Sequence, residues 1–274
     1  MAALAYWVDT LNPFLIRFHG NLGIHWYGVT YVVGFAAGAW LLYRYARAGK
    51  SLVGPERIPD LMTWSIVGVF VGGRLGHYFL YDQWRSFPSD PLRVFRVWDG
   101  GMASHGGMIG VALALAWFAR TQKVPFLHLG DIITTAATPG LFFVRIGNFI
   151  NGELWGHVSY VRWAVIFPDS APPGTPIPLI PPRHPSQLYE AGLEGLLLGA
   201  YLQLRMWKSD AVRKQPGRLS GEFLIGYALM RIAGEQFREP DASLILGMSR
   251  GIFYSIFLVG GGLWLCLRPK RPLA

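Results

Sequence analysis

Two arginines, Arg145 and Arg231, stand inside otherwise apolar stretches of this 274-residue chain. Arginine keeps its proton even when buried, so each needs a permanent anion beside it. Arg231 has one within its own helical reach, Glu235 at i+4, which leaves a structural pair and an external anion both open. Arg145 has no acid three or four residues away. Instead Arg145, Asn148 and the pair Asn151/Gly152 fall on one helical face and offer guanidinium and amide donors to one oxygen-rich group, a phosphate being the obvious external partner. His105 lies in Gly100-Gly-Met-Ala-Ser-His-Gly-Gly107, where glycines on both sides permit close backbone approach; a general base, a hydrogen-bonded core histidine and a passive contact all fit it. Glu190 and Glu194 are like charges at i,i+4 and read better as groups that orient arginines than as a catalytic carboxylate pair. His25, His77 and His184 show no ligand spacing on one helix, and the single cysteine, Cys266, supports neither an internal disulfide nor an iron–sulfur cluster. No metal or cofactor is expected.

The elements that must position these groups are membrane helices. Only 15% of the chain is charged against 52% hydrophobic, with 34 Gly and 11 Trp, a composition of lipid-facing helices and interfacial aromatics rather than of a large soluble enzyme. Seven apolar stretches are long enough to cross a hydrocarbon core: Ile24 to Tyr43, Leu61 to Leu80, Gly101 to Ala119, Leu127 to Phe149, Leu188 to Met206, Phe223 to Phe237 and Gly251 to Leu267. Five carry ionisable residues (Arg74 and His77; His105; Asp131 and Arg145; Glu190 and Glu194; Arg231 and Glu235), which must face the bundle and not lipid.

Orientation follows from the basic residues. Arg44, Arg47, Lys50, Arg57, Arg120, Lys123, Arg205, Lys208, Arg213, Lys214, Arg218, Arg268, Lys270 and Arg271 gather on one side; Arg17, Arg85, Arg93, Arg96, Arg162, Arg183, Arg238 and Arg250 lie on the other. The N-terminus is expected outside and the C-terminus in the cytoplasm. The formal charge of +9 is thereby distributed by topology, and no basic stripe remains for nucleic acid. Tyr27, His105, Arg145 and Arg231 then all fall in the outer half of the membrane. A removable signal peptide is not expected, since the first twenty residues lack a basic start and a small-residue cleavage site; Leu11 to His19 reads as lying along the outer surface. The chain is expected to be one membrane-embedded domain, 1–274. Its longest outer connection, 151–185, holds eight prolines from Pro168 to Pro185 and the strand-like Trp163-Ala-Val-Ile-Phe167, and reads as a small cap.

The run Arg145-Ile-Gly-Asn-Phe-Ile-Asn-Gly-Glu-Leu-Trp-Gly156 closely resembles the signature of the prolipoprotein diacylglyceryl transferase family, bacterial membrane enzymes. Four further segments agree in order: His25-Trp-Tyr-Gly28; Val97-Trp-Asp-Gly-Gly-Met102 with His105-Gly-Gly107; His184-Pro-Ser-Gln-Leu-Tyr-Glu190; and Arg231 through Glu235 to Arg238-Glu-Pro-Asp241. The resemblance implies an all-α integral membrane protein of seven transmembrane helices in the inner membrane, with a periplasmic head between helices four and five. It implies transfer of the diacylglyceryl group of phosphatidylglycerol to the lipobox cysteine thiol in preprolipoprotein signal peptides, with glycerol phosphate leaving. In family terms Arg145 and Arg231 look like the essential arginines and His105 like the essential histidine. Tyr27, Asn148, Gly156, Glu190, Tyr227, Glu235 and Arg238 look like supporting site residues. Tyr227, four residues before Arg231, shares its helical face. Two departures stand out: His157 follows Trp155-Gly156 where the family usually has Arg, and Gly247-Met-Ser-Arg250 replaces a Met-Gly-Gln-like sequence.

Two other classes compete. A transporter or channel would distribute its charges through the full membrane depth, whereas these lie on one side. A lipid-binding scaffold that docks secreted precursors would need the arginines but not His105.

Overall fold

The computed structural model describes residues 6–20, 22–79, 89–96, 101, 103–240 and 243–269, and for Ser104 and His105 the backbone alone. Leu80, Arg85, the stretch 97–100, Met102, Asp241, Lys270, Arg271 and the His105 side chain lie outside the described residues. Each of the seven apolar stretches falls mainly on a helix among the described residues. These are α1 (Trp26–Arg47), α2 (Ile58–His77), α3 (Ser104–Gln122), α4 (Phe126–Ile150), a composite of α5 (Ser186–Glu190), a π-turn (Ala191–Leu197) and α6 (Leu198–Lys208), then, after the short α7 (Ala211–Lys214), α8 (Arg218–Glu235) and α9 (Arg250–Leu267). Two of them, α4 and α9, are long and apolar enough by composition to cross a membrane.

The sorting of side chains departs from that in a water-soluble protein. His128, Asp131, Thr135, Glu190 and Glu194 are fully buried, while Val32, Trp40, Phe70, Leu113, Trp117, Leu196, Leu229, Phe257 and Trp264 are exposed. Such a surface suits hydrocarbon, where polar groups are satisfied inside the protein.

Two compact units form, one from 1–41 with 133–274 and one from 42–132. In the second, α2 and α3 meet backbone to backbone. A Cβ on Gly76 would fall 2.5 Å from the Cα of Gly106, and one on Gly68 would fall 2.7 Å from the carbonyl oxygen of Gly110, so only glycine permits this approach. Arg74, buried on α2, donates to the carbonyls of Arg93, Val94 (2.9 Å), Arg96 (2.8 Å) and Gly101 (3.1 Å). It thus adds side-chain donors at the end of the 3₁₀ turn Pro91–Phe95, where the backbone itself supplies the Arg96 N–H to the Arg93 carbonyl.

In the first unit, Gly34 on α1 sits against Gly140 on α4, and Gly221 on α8 against Gly262 on α9. Pro139 interrupts α4 and frees the carbonyl of Thr135, which accepts instead from Thr138 Oγ1 (3.2 Å) and Gln203 Nε2 (3.2 Å). Two small sheets complete it: β1 (Trp7–Val8) runs parallel to β4 (Val165–Ile166), and β2 (Phe14–His19) pairs antiparallel with β3 (Leu22–His25). The strand-like Trp163-to-Phe167 run therefore shortens to two paired residues, because its partner β1 is only two residues long. The proline-rich connection is otherwise irregular, with 3₁₀ turns at Pro168–Ser170 and Ile177–Leu179, each with a proline in its first two positions, where a missing N–H costs nothing.

Candidate active site

Three elements of the first unit converge on one ionic cluster. Arg145 comes from the last third of α4, Glu190 and Glu194 from the end of α5 and the π-turn, Arg231 and Glu235 from α8, and Arg238 from just beyond it. Gly195 sets the approach of the π-turn to α4: a Cβ there would lie 2.5 Å from Phe142 Cβ and 2.7 Å from its Cα. Arg145, one turn past Phe142, thus reaches Glu194, one residue before Gly195. Arg145 Nε and Nη2 donate to Glu194 Oε2 at 3.2 and 3.0 Å, and its Nη1 lies 3.0 Å from Glu190 Oε2. Arg231 Nη1 is 2.7 Å from Glu190 Oε1 and 3.6 Å from Glu194 Oε1, and its Nη2 pairs with Glu235. Arg238 Nη1 donates to both oxygens of Glu190, at 3.1 and 3.2 Å.

Three guanidiniums meet three carboxylates, and Glu190 binds all three arginines. The permanent anions that Arg145 and Arg231 require are therefore inside the protein. The acid beside Arg145 comes from a different helix, 49 residues away, which local spacing could not reveal. The reading of Glu190 and Glu194 as orienting groups agrees with this geometry. Exposure is divided unequally: the two glutamate side chains keep 0% of their surface, Arg145 14% and Arg231 13%. The two carboxylates are sealed, and the small surface left open belongs to the arginine side chains. Tyr227 stacks on Phe223, ring centroids 5.9 Å apart, within electrostatic range of Arg145, Arg231, Glu190 and Glu194.

One turn beyond Arg145 lies a polar group. Asn148 Nδ2 donates to Glu153 Oε1 at 2.8 Å. Tyr27 packs its ring against Gly147, where a Cβ would come within 3.0 Å, faces Asn148, and shares a 3.3 Å hydrogen bond with Tyr31. The turn after α4 takes left-handed backbone at Gly152 (φ 62°) and at Leu154 (φ 61°), a strained choice for leucine. Two groups from the start of α5 hold it: Ser186 Oγ donates to the Leu154 carbonyl (2.9 Å) and Gln187 Nε2 to that of Glu153 (2.6 Å). Gly156 crosses the segment after α8 in an isolated bridge to Arg238, and its N–H donates to the His184 carbonyl at 2.9 Å. Its role here is close approach, since a Cβ would sit 2.7 Å from His184 Cβ. His184 hydrogen bonds the Tyr189 hydroxyl at 3.0 Å; burial and then nearby His157 push its pKa down, keeping it neutral at pH 7.

Glu153 and Gln187 are the members that sequence reasoning passed over. Both lie within quoted motifs, yet nothing in spacing showed that one would receive the amide nitrogens of Asn148 and of the other. His105 belongs to the other compact unit, in the first turn of α3 beside the Gly106–Gly76 contact, and its imidazole is outside the described residues.

Residues 13–268 match the model of the family described as prolipoprotein diacylglyceryl transferase. Among curated relatives, a phosphatidylglycerol–prolipoprotein diacylglyceryl transferase of Zymomonas mobilis is 44% identical over 90% of this chain and 84% of its own length. One of Rhizobium leguminosarum is 43% identical, covering 93% and 91%, and one of Brucella anthropi 41%, covering 100% and 96%.

Proposed function

The chain belongs to the prolipoprotein diacylglyceryl transferase family, and from that membership together with its ionic cluster we infer how its residues act. It is a membrane enzyme that transfers the diacylglyceryl group of phosphatidylglycerol to a prolipoprotein in lipoprotein maturation. The acceptor is the thiol of the lipobox cysteine in the precursor's signal peptide. A thiol of ordinary pKa about 8.5 is held protonated more firmly still in apolar surroundings, so the attack needs a proton acceptor or a positive field. His105 takes or relays that proton. The sulfur then forms a C–S bond to the glycerol carbon as the C–O bond to phosphate breaks, and the electron pair leaves on glycerol phosphate. A thioether remains on the precursor.

The single observation that carries this reading is the small exposed surface that Arg145 and Arg231 keep while their paired carboxylates are sealed. A guanidinium has five N–H donors, so a fork already fixed by Glu190 and Glu194 still presents donors to a phosphodiester and to the charge that grows on its leaving oxygen. Tyr227, on the face of Arg231, donates to the same phosphate, while Tyr27, Asn148, Glu235 and Arg238 line or brace the site. The seven helix-borne stretches cross the inner membrane with the N-terminus periplasmic and the C-terminus cytoplasmic, and 151–185 forms a periplasmic head over the site.

The test combines purified protein in detergent, phosphatidylglycerol and a signal-sequence peptide with one cysteine, analysed by mass spectrometry beside a Cys→Ser peptide. A diacylglyceryl mass gain on the cysteine peptide alone is expected. No gain from folded, lipid-bound protein would leave a binding or transport role.

A further inference from the structure

Asn148 and Gln187 are 3% and 0% exposed, and both amide nitrogens are committed to the same residue: Asn148 Nδ2 to the Glu153 carboxylate, Gln187 Nε2 to the Glu153 carbonyl. That commitment fixes the orientation of both amides, because a flipped amide would set oxygen against oxygen. Their carbonyl oxygens, Asn148 Oδ1 and Gln187 Oε1, are consequently the free ends, and both are buried without a hydrogen-bond partner. Asn151 Oδ1, on the turn between Asn148 and Glu153, is a third. Buried acceptors left unpaired are costly, and three around one turn call for donors that water or a bound substrate must supply.

The chemistry of the lipid says which part could supply them. Its phosphodiester and its two fatty esters carry only acceptors; its only donors are the two hydroxyls of the headgroup glycerol. Resting on the transferase reading above, we propose that Gln187, Asn148 and Asn151 form a hydroxyl-reading subsite that selects phosphatidylglycerol by the free glycerol of its headgroup. In that reading Arg145, one helical turn from Asn148, holds the phosphate, and the neighbouring acceptors receive the hydroxyls of its second alcohol. Charge alone would not distinguish this lipid from another anionic phosphodiester; hydroxyl donors do. A site built to receive an O–H rejects the analogue that lacks it, since its own acceptors are then stranded.

The experiment compares phosphatidylglycerol with phosphatidylpropanol, which keeps the phosphodiester and the acyl chains but lacks both hydroxyls, in the peptide-transfer assay. Wild-type kcat/KM should be lower for the deoxy lipid by about 10-fold for each hydroxyl lost. In Gln187→Met the ratio between the two lipids should shrink towards one, whatever the loss in absolute rate. Asn151→Ala, which removes an acceptor whose oxygen bonds nothing else, provides the same readout if Gln187→Met does not fold. Equal turnover of both lipids by the wild type overturns the proposal, as does an unchanged ratio in the variants, or a rise confined to the KM for peptide. No transfer from phosphatidylglycerol by folded wild-type protein instead defeats the transferase reading, so the two failures are separate.

Discussion

Arg145 meets Glu194 through Nε and Nη2 and Glu190 through Nη1, a fork that uses the shape of guanidinium and not only its charge. A lysine there keeps the charge and loses the fork. Arg145→Lys should therefore reduce transfer by about 100-fold or more, the scale on which removing a preorganised donor acts, while the protein still purifies folded. Near-normal turnover would end the phosphate-fork role. Glu190 is the more structural partner, since its removal takes a contact from three arginines at once. Breaking a buried ion pair from one side costs about 3–5 kcal/mol, so Glu190→Gln should lower Tm as well as activity, and an unchanged Tm would contradict the ledger of charges in this cluster. The i,i+4 spacing of the glutamates was legible in the sequence, as was the i+4 reach of Arg231 to Glu235, which left a pair and an external anion both open. The partners of Arg145 and Arg238, and the pairing of Arg231 with Glu190, were not, because those pairs join residues 41 to 49 apart in the chain and exist only once α8, α4 and the π-turn have packed.

Helix existence was readable from apolar length, but the geometry that turns helices into a site was not. The π-turn Ala191–Leu197 has no sequence mark beyond two glycines, and those two are not equivalent. Alanine at Gly195 would press a Cβ into the backbone of α4 at Phe142, whereas at Gly192 nothing lies within 4 Å. Gly195→Ala should therefore reduce both Tm and transfer by pushing Arg145 away from Glu194, at an overpacking cost of about 1–3 kcal/mol; Gly192→Ala should leave both near wild type. Equal behaviour of the two variants would refute the close-approach argument. A second joint ties α6 to α8: Glu222 receives Arg205 at 2.9 Å and Arg218 at 2.7 Å. Burial alone would raise the pKa of Glu222, but the hydrogen bonds from Arg205 and Arg218 outweigh it and hold the carboxyl below its usual range. A folded pKa below the unfolded one adds stability above the usual carboxylate pKa of about 4.3 and loses it as pH falls through the depressed value. Glu222→Gln should accordingly lie below wild type in Tm at pH 7, with the gap closing under acid. A gap that stays constant with pH would show that packing, not charge, holds this joint.

For the molecule as a whole, composition and the asymmetry of basic residues fix an expected arrangement in the membrane, while the division into units of 1–41 with 133–274 and of 42–132 has no counterpart in either. That division depends on where glycine pairs let backbones meet, Gly68 and Gly76 with Gly110 and Gly106 in one unit and Gly34 with Gly140 in the other, and such pairs announce close packing without naming the partner helix. Orientation has a direct test, because the chain has one native thiol, Cys266. In a Cys266→Ser background, Leu179→Cys places a thiol at a residue 72% exposed in the proline-rich connection. Lys214→Cys places one at a side chain 72% exposed among the basic residues before α8. If the basic side is cytoplasmic, a membrane-impermeant maleimide should label Leu179→Cys in intact spheroplasts and reach Lys214→Cys only after permeabilisation. Labelling in the reverse order would invert the topology and remove the ionic cluster from the compartment in which secreted precursors present their cysteine. Labelling of both from outside would place the connection and the basic segment on one side of the membrane. The helices between them would then cross an even number of times, against the single crossing by α5 to α6 that the apolar length and the basic flank require.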